Sequence, residues 1–302
     1  MIRRTECPIC ERPAQPVFSR PYSTPALRAM VEVSGLADKL ASEPYEIRHC
    51  TPCHLHFQTM VMSDDELANW YSPPRDEASF LKEISTQKLH WFAHQTEEIL
   101  VLRQVCKAAM PRVLDFGCNW GKWSSMALAH GCEVFAVDVN RDAARFCASR
   151  GIRMVSLEEA AGLRFDFINV DQVMEHLTDP LTIARRLAGS LKTGGLMKFS
   201  TPHNTRLPAK LAAMQASGAT GVPNATEIDA LFPLMHVNLF TPHALRTLAQ
   251  TAGLEEFRQP LLPWLGAGQL WNIPRQLNRN LVTPFKRWLG RGAYLWFIKP
   301  SS

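Results

Sequence analysis

The run Val113-Leu114-Asp115-Phe116-Gly117-Cys118-Asn119-Trp120-Gly121 carries an acid at the end of an apolar stretch and two glycines in the turn that follows. Such a strand–turn–helix brings backbone N–H groups close to a ligand. Small or turn-forming residues are needed there because a Cβ would block the approach. Seventeen residues past Gly121, Asp138 ends a second apolar run, Glu133-Val134-Phe135-Ala136-Val137. An acid at that place accepts hydrogen bonds from a ribose diol. Together the two segments point to a nucleoside-containing ligand at the carboxyl edge of a parallel sheet.

A second group of reactive side chains stands at the front. Cys7-Pro8-Ile9-Cys10 and Cys50-Thr51-Pro52-Cys53 are C-x-x-C knuckles with residues 11–49 between them. Each knuckle places two thiolates on one ion, and two knuckles complete a tetrahedral zinc site. His54 after Cys53 also gives the C-x-x-C-H pattern of covalent haem attachment. That chemistry requires export, and the start Met1-Ile2-Arg3-Arg4-Thr5-Glu6 lacks the apolar core of a signal peptide. It would also leave Cys7 and Cys10 unexplained, so zinc is the stronger reading. Cys106, Cys118, Cys132 and Cys147 fall on helix or strand faces and read as packing residues.

The choice of nucleoside cofactor rests on spacing. A dinucleotide fingerprint reads G-x-G-x-x-G. Here Asn119 lies between Gly117 and Gly121, and Asp115 comes two residues before the first glycine. The order apolar-apolar-Asp-x-Gly-x-x-x-Gly resembles motif I of the class I S-adenosylmethionine-dependent methyltransferases. Asn119 stands where that motif has a middle glycine. Asn tolerates positive φ better than other side chains, so the turn is expected to survive. Phe165-Asp166-Phe167-Ile168-Asn169-Val170-Asp171, followed by Glu175-His176-Leu177, resembles the family's fourth strand and the loop beyond it. Leu191–Pro202 looks like the glycine turn and fifth strand. His236–Pro242 and the helix ending at Gly253 look like the next loop and helix. The resemblance covers roughly residues 92–258.

The resemblance implies an α/β, Rossmann-like sheet of seven strands that binds S-adenosyl-L-methionine. It places Gly117, Asn119 and Gly121 around the methionine part and Asp138 on the ribose. Asp115 would orient the turn or reach the amino group, and Asp171 would line the sulfonium side. No acid for the adenine is evident, and Ser156-Leu157 stands where one is expected. Three histidines map to the carboxyl edge: His176 past the fourth strand, His203 past the fifth and His236 at the end of an insertion. A histidine suits proton removal from an alcohol or phenol, and His176 and His236 are the stronger candidates. The stretch Tyr45–Leu55 resembles the second half of a zinc ribbon fused to bacterial small-molecule methyltransferases, including deoxysugar enzymes. That ribbon commonly has Gly after its last cysteine, where this chain has His54.

The expected organisation follows. Residues 1–60 read as the zinc-ribbon-like module, 61–91 as a connection and 92–302 as the methyltransferase domain, with insertions at 203–235 and 259–292. Gly218, Gly221 and Pro223 loosen the first insertion, which makes it a candidate lid. The second carries Leu277, Leu281, Phe285 and Trp288 at helical spacing beside Arg275, Arg279, Lys286 and Arg287. This basic amphipathic pattern fits a helix on the sheet edge or contact with a membrane surface.

Hydrophobic residues make up 46% of the chain, as expected of a globular protein. No apolar run reaches eighteen residues, so no membrane span is expected. With no leader evident, the expected location is the cytoplasm. The net charge of +5 has its source at the end: residues 258–302 hold seven Lys and Arg and no Asp or Glu. A local positive surface favours an anionic or carrier-linked small-molecule substrate. An RNA methyltransferase is the main alternative, but the front module is near neutral, with seven Lys and Arg against six Asp and Glu. Its aromatics are scattered, whereas RNA binding asks for a basic surface with stacking rings. An inactive scaffold with the same fold is the remaining alternative.

Overall fold

The structure is a computed structural model that describes residues 1–71, 90–259 and 292–301, with single positions 78, 82, 285 and 289. The strands are β1 (Ile2–Arg3), β2 (Gln15–Pro21), β3 (Pro44–Cys50), β4 (Leu55–Gln58), β5 (Met60–Val61), β6 (Arg112–Phe116), β7 (Glu133–Val137), β8 (Arg153–Met154), β9 (Phe165–Asp171), β10 (Leu191–Ser200), β11 (Asn238–Leu239), β12 (Glu255–Phe257) and β13 (Tyr294–Ile298). The helices are α1 (Pro25–Glu32), α2 (Asp64–Tyr71), α3 (His90–Val105), α4 (Lys122–Ala129), α5 (Arg141–Ser149), α6 (Leu157–Gly162), α7 (Pro180–Ser190), α8 (Leu207–Ala216) and α9 (Pro242–Thr251). The basic pattern at Leu277, Leu281 and Trp288 lies outside the described residues. Among the described residues, no helix is long and apolar enough to cross a membrane.

Alternation of apolar strands with capped helices builds the main sheet. Its order is β12-β13-β10-β9-β6-β7-β8. The strands β10, β9, β6, β7 and β8 run parallel, and β13 is antiparallel to both β10 and β12. The central strand β9 is buried along nearly its whole length, because helices cover both faces of a parallel sheet. Side-chain caps start the crossovers. Asn140 accepts from the N–H groups of Asp142 and Ala143 at the head of α5. Ser156 and Glu159 form a reciprocal capping box on α6. Asp179 and Thr241 cap α7 and α9, each with a proline at the first turn. The chain runs from β6 outward through β7 to β8, then returns to β9 on the other side. The strand order therefore reverses between β6 and β9, and a crevice at the carboxyl ends of these two strands is where such sheets bind ligands.

A second sheet has the order β11-β4-β3-β2. Its fourth strand comes from far along the chain: Asn238 and Leu239 pair antiparallel with Phe57 and His56. The insertion before β11 docks on the same sheet. Leu207, Leu211, Ile228 and Leu231 share a core with Phe18, Tyr22, Leu27 and Tyr45. The Tyr45 hydroxyl donates to the Leu231 carbonyl at 2.6 Å. The Gln58 amide donates to the carbonyls of Phe232 and His236 and accepts the Leu234 N–H. The stretch read as a lid is thus anchored at both flanks by buried contacts, while Gly218 to Gly221 is exposed.

Candidate active site

The turn after β6 owes its shape to three residues in the left-handed region, Gly117 at φ 76°, Asn119 at 50° and Gly121 at 67°. A Cβ on Gly117 would fall 2.4 Å from Cγ2 of Val173, and one on Gly121 would fall 2.7 Å from Sγ of Cys147. Asn119 fills the same conformational role with a side chain, as its tolerance of positive φ allows. Asp138, at the end of β7, braces the turn. Its carboxylate accepts the Asn119 N–H at 2.6 Å and the Asn140 N–H at 2.8 Å. Each oxygen keeps a further lone-pair site.

Above the turn lies a cavity of about 350 Å³, within the range of small-molecule sites. Gly117, Asn119 and Asp138 line it together with Tyr71, His176 and Met235. Asn140 draws the end of α2 over the cavity by donating to the Tyr71 carbonyl at 2.9 Å. Gln172, with φ 56°, turns the chain out of β9 into the same cavity and donates to Ser200 Oγ at 3.2 Å. Three expected residues are placed apart from this lining. Asp115 lies beneath the turn, 3% exposed, where it accepts from Ser124 Oγ at 2.6 Å and Asn169 Nδ2 at 2.7 Å. Burial pushes its carboxyl up to about 6 against those hydrogen bonds. Gly121 packs against Cys147 of α5 and Ile152, just before β8. Asp171 sits 3.8 Å from the Lys198 ammonium. Ser156 is occupied with its helix cap.

A buried charge network supports the floor. Lys198 and Glu98 pair at 2.9 Å, each side chain 2% exposed. Glu98 also accepts from Trp123 Nε1 at 2.8 Å and the Tyr294 hydroxyl at 2.6 Å. Burial opposes the charge on Glu98, but Lys198 and the other donors outweigh it and hold the carboxyl at about 2. Trp123 belongs to the helix that starts at Gly121, so the network ties that helix to α3, β10 and β13.

His176, which lines the cavity, stands beside His236, with ring centroids 4.8 Å apart. His176 Nδ1 lies 2.9 Å from the Met235 carbonyl, and His236 Nδ1 bonds the Asp229 carbonyl. A carbonyl only accepts, so each Nδ1 carries the proton and each Nε2 presents a lone pair. Burial lowers His176 to about 4, so the ring is neutral near pH 7. Glu175 is 1% exposed, and burial raises its carboxyl to about 8. His203 is exposed and stands outside the cavity wall. Sequence reasoning missed Tyr71, Asn140 and Gln172. Only Asn140 left a signal, as an Asn just before a helix.

The four front cysteines converge. Their sulfurs lie within 4.8 Å of one another, with Cys10 Sγ and Cys50 Sγ 3.6 Å apart. Glu11 and His54, the residues after each knuckle, have φ of 59° and 53°. That conformation is the physical reason a glycine is common there. Burial pushes the Cys7 thiol up to about 12 and raises that of Cys53. Cys106, Cys118, Cys132 and Cys147 are unbridged and buried or half-buried.

Comparison with known proteins gives the family. Residues 77–257 match the family described as "Methyltransferase domain". A ubiquinone biosynthesis O-methyltransferase of Ralstonia nicotianae is 29% identical over 202 residues, 63% of this chain and 78% of that protein. The enzyme of the same name from Cereibacter sphaeroides is 32% identical over 187 residues, 57% of this chain and 72% of its own length. Among solved structures, the plantazolicin methyltransferase BpumL superposes with a TM-score of 0.48 at 12% identity, covering 78% of this chain and 95% of that one. With the glycine turn, the seven-stranded order and the family match over more than half its length, the chain belongs to the methyltransferase-domain family and is a class I S-adenosylmethionine-dependent methyltransferase.

Proposed function

We propose that the chain moves the methyl group of S-adenosylmethionine to a hydroxyl of a small-molecule acceptor. The observation that carries this reading is one cavity lined by Gly117, Asn119 and Asp138 together with His176. In this reading Asp138 accepts from the ribose hydroxyls with the lone pairs left beside Asn119 and Asn140. Gly117 and Asn119 give the cofactor backbone to lie against, and the Asp115 carboxylate fixes the turn from below. Gly121 does so from the helix side, and Asp171 sets the charge near the sulfonium. Methyl transfer is an in-line displacement, so the acceptor oxygen must be held opposite the sulfur, and confinement supplies much of the rate. The acceptor enters beside His176 and His236, whose Nε2 lone pairs face away from their carbonyl partners. Either imidazole takes the hydroxyl proton as the C–O bond forms, and S-adenosylhomocysteine leaves neutral. The names of the two relatives, both O-methyltransferases, support oxygen as the acceptor atom.

The front module belongs to the same proposal as a zinc site. Tetrahedral zinc with Zn–S bonds of about 2.3 Å sets its sulfurs about 3.8 Å apart. The observed cluster needs only small adjustments to meet that spacing. Zinc there would hold the β3–β4 hairpin, on which β11 and the end of the insertion are built. The chain's domain limits are proposed as 1–60 and 92–302, joined by 61–91.

Turnover tests the reading. Methyl-labelled S-adenosylmethionine is offered with a panel of phenols and sugars, and the product is scored for O-methylation. His176→Ala or His236→Ala is expected to slow the reaction about a hundredfold to ten-thousandfold while leaving cofactor affinity unchanged. Near-normal rates in both variants would refute the role of the pair. Label recovered on nitrogen or carbon would refute the hydroxyl acceptor.

A further inference from the structure

Glu175 stands out among the described side chains. Its carboxylate is buried, and neither oxygen has a hydrogen-bond partner among the described residues. A buried carboxyl without hydrogen bonds is costly, about 1–3 kcal/mol or more. His176 Nε2 lies 3.9 Å from Glu175 Oε1. His236 completes the group: one ligand atom from each of Glu175, His176 and His236 lies within 4.8 Å of the others. The two imidazoles are oriented as metal-binding histidines are. Each donates Nδ1–H to a backbone carbonyl, Met235 and Asp229 respectively, which fixes the tautomer and turns Nε2 outward. The two imidazoles thus have their outer hydrogen bonds already made, and the bare carboxylate stands beside them.

We propose that Glu175, His176 and His236 bind one divalent transition-metal cation beside the cavity. This inference deepens the hydroxyl-methylation reading and rests on it for its role, though not for its existence. Two imidazoles and one carboxylate are the donor set of divalent zinc, cobalt or iron, and they leave further positions open. Bonds near 2.0–2.2 Å require the three ligand atoms to close by roughly 1 Å, a side-chain adjustment. The elements that hold them are independent. Glu175 and His176 lie on the single turn after β9, and His236 lies just before β11. His176 also lines the cavity, so an open position is reachable by an acceptor hydroxyl. A hydroxyl on such a cation loses its proton to solvent more readily, because the metal stabilises the oxygen anion. With the cation bound, both Nε2 lone pairs are taken up by it, so the histidines hold the metal instead of removing the proton themselves; direct proton removal by an imidazole belongs to the metal-free chain.

The zinc-loaded full chain is titrated with cobalt(II) in the absence of acceptor. The expected result is one equivalent of cobalt bound with visible d–d bands. The intense near-ultraviolet thiolate absorption of a cobalt–cysteine site should be absent. Glu175→Gln and His236→Asn should each weaken cobalt binding at least tenfold. Both variants should keep wild-type circular dichroism and S-adenosylmethionine affinity, which shows that they fold. No binding beyond the cysteine cluster would overturn the inference, as would equal affinity in the variants. Either failure leaves methyl transfer standing if labelled methyl still reaches an acceptor. Cobalt binding with no methyl transfer would instead leave the cation site and remove the proposed reaction.

Discussion

Adding one methyl group at Gly117 tests how the turn holds the cofactor. The residue sits at φ 76°, and Gly117→Ala would place its Cβ 2.4 Å from Cγ2 of Val173. The left-handed backbone costs an alanine about 1–2 kcal/mol. Normal carbon contacts are near 3.5–4.0 Å, so turn and valine must separate by more than 1 Å, an overpacking cost of about 1–3 kcal/mol. The sum is about 2–5 kcal/mol, about 1–2 of it from φ and about 1–3 from the clash. Val173 and Gly117 both line the cavity, so the same movement must distort it. Urea unfolding should therefore report the loss, and calorimetry should report weakened S-adenosylmethionine binding. A second substitution separates the two causes. Val173→Ala opens the space but leaves φ unchanged, so Gly117→Ala with Val173→Ala should show favourable coupling of about 1–3 kcal/mol, the clash alone. Additive losses in the double variant would refute the steric part. Wild-type stability and affinity in Gly117→Ala would refute the whole reasoning.

Two further perturbations act away from the turn. Protein purified without chelators should hold one zinc per chain at the Cys7–Cys10–Cys50–Cys53 cluster. Its removal should loosen the β2–β3–β4 sheet, which amide exchange would show as lost protection; a metal-free protein with full protection would contradict the zinc assignment. Lys198→Met should destabilise the chain by about 3–5 kcal/mol by leaving the Glu98 carboxylate buried without its cation, whereas Glu98→Gln with Lys198→Met should cost less than Lys198→Met alone in chemical unfolding. Equal losses would show that the pair's charges are not coupled.

The parts of the fold that are readable in the sequence are those set by local chemistry. Glu133–Val137 shows as a strand because its apolar run ends at a turn, and the structure has the same limits. Asn119 carries positive φ because its side chain tolerates it. The run Ala293–Ile298 reads as a closing strand that the family resemblance implies is antiparallel, and the structure has it at Tyr294–Ile298. What stayed hidden depends on contacts between distant residues. The pairing of Asn238 and Leu239 with Phe57 and His56 crosses most of the chain, and a two-residue strand has no periodicity to read. Glu98 and Lys198 are a hundred residues apart, and each alone looks like a surface charge. Asp115 seemed able to reach a ligand, but Ser124 and Asn169 hold it beneath the turn. Tyr71 comes over the cavity through the Asn140 amide, a contact no spacing announces.

The central claim is that S-adenosylmethionine lies against the Gly117–Asn119 turn with its ribose on Asp138. Calorimetric titration of wild type and Asp138→Ala with S-adenosylmethionine tests it most directly. Wild type should bind one equivalent. The variant should bind about 5- to 150-fold more weakly, since about 1–3 kcal/mol of charge-assisted hydrogen bonding is lost. Equal affinity in the two proteins, or no binding to wild type, would contradict the account.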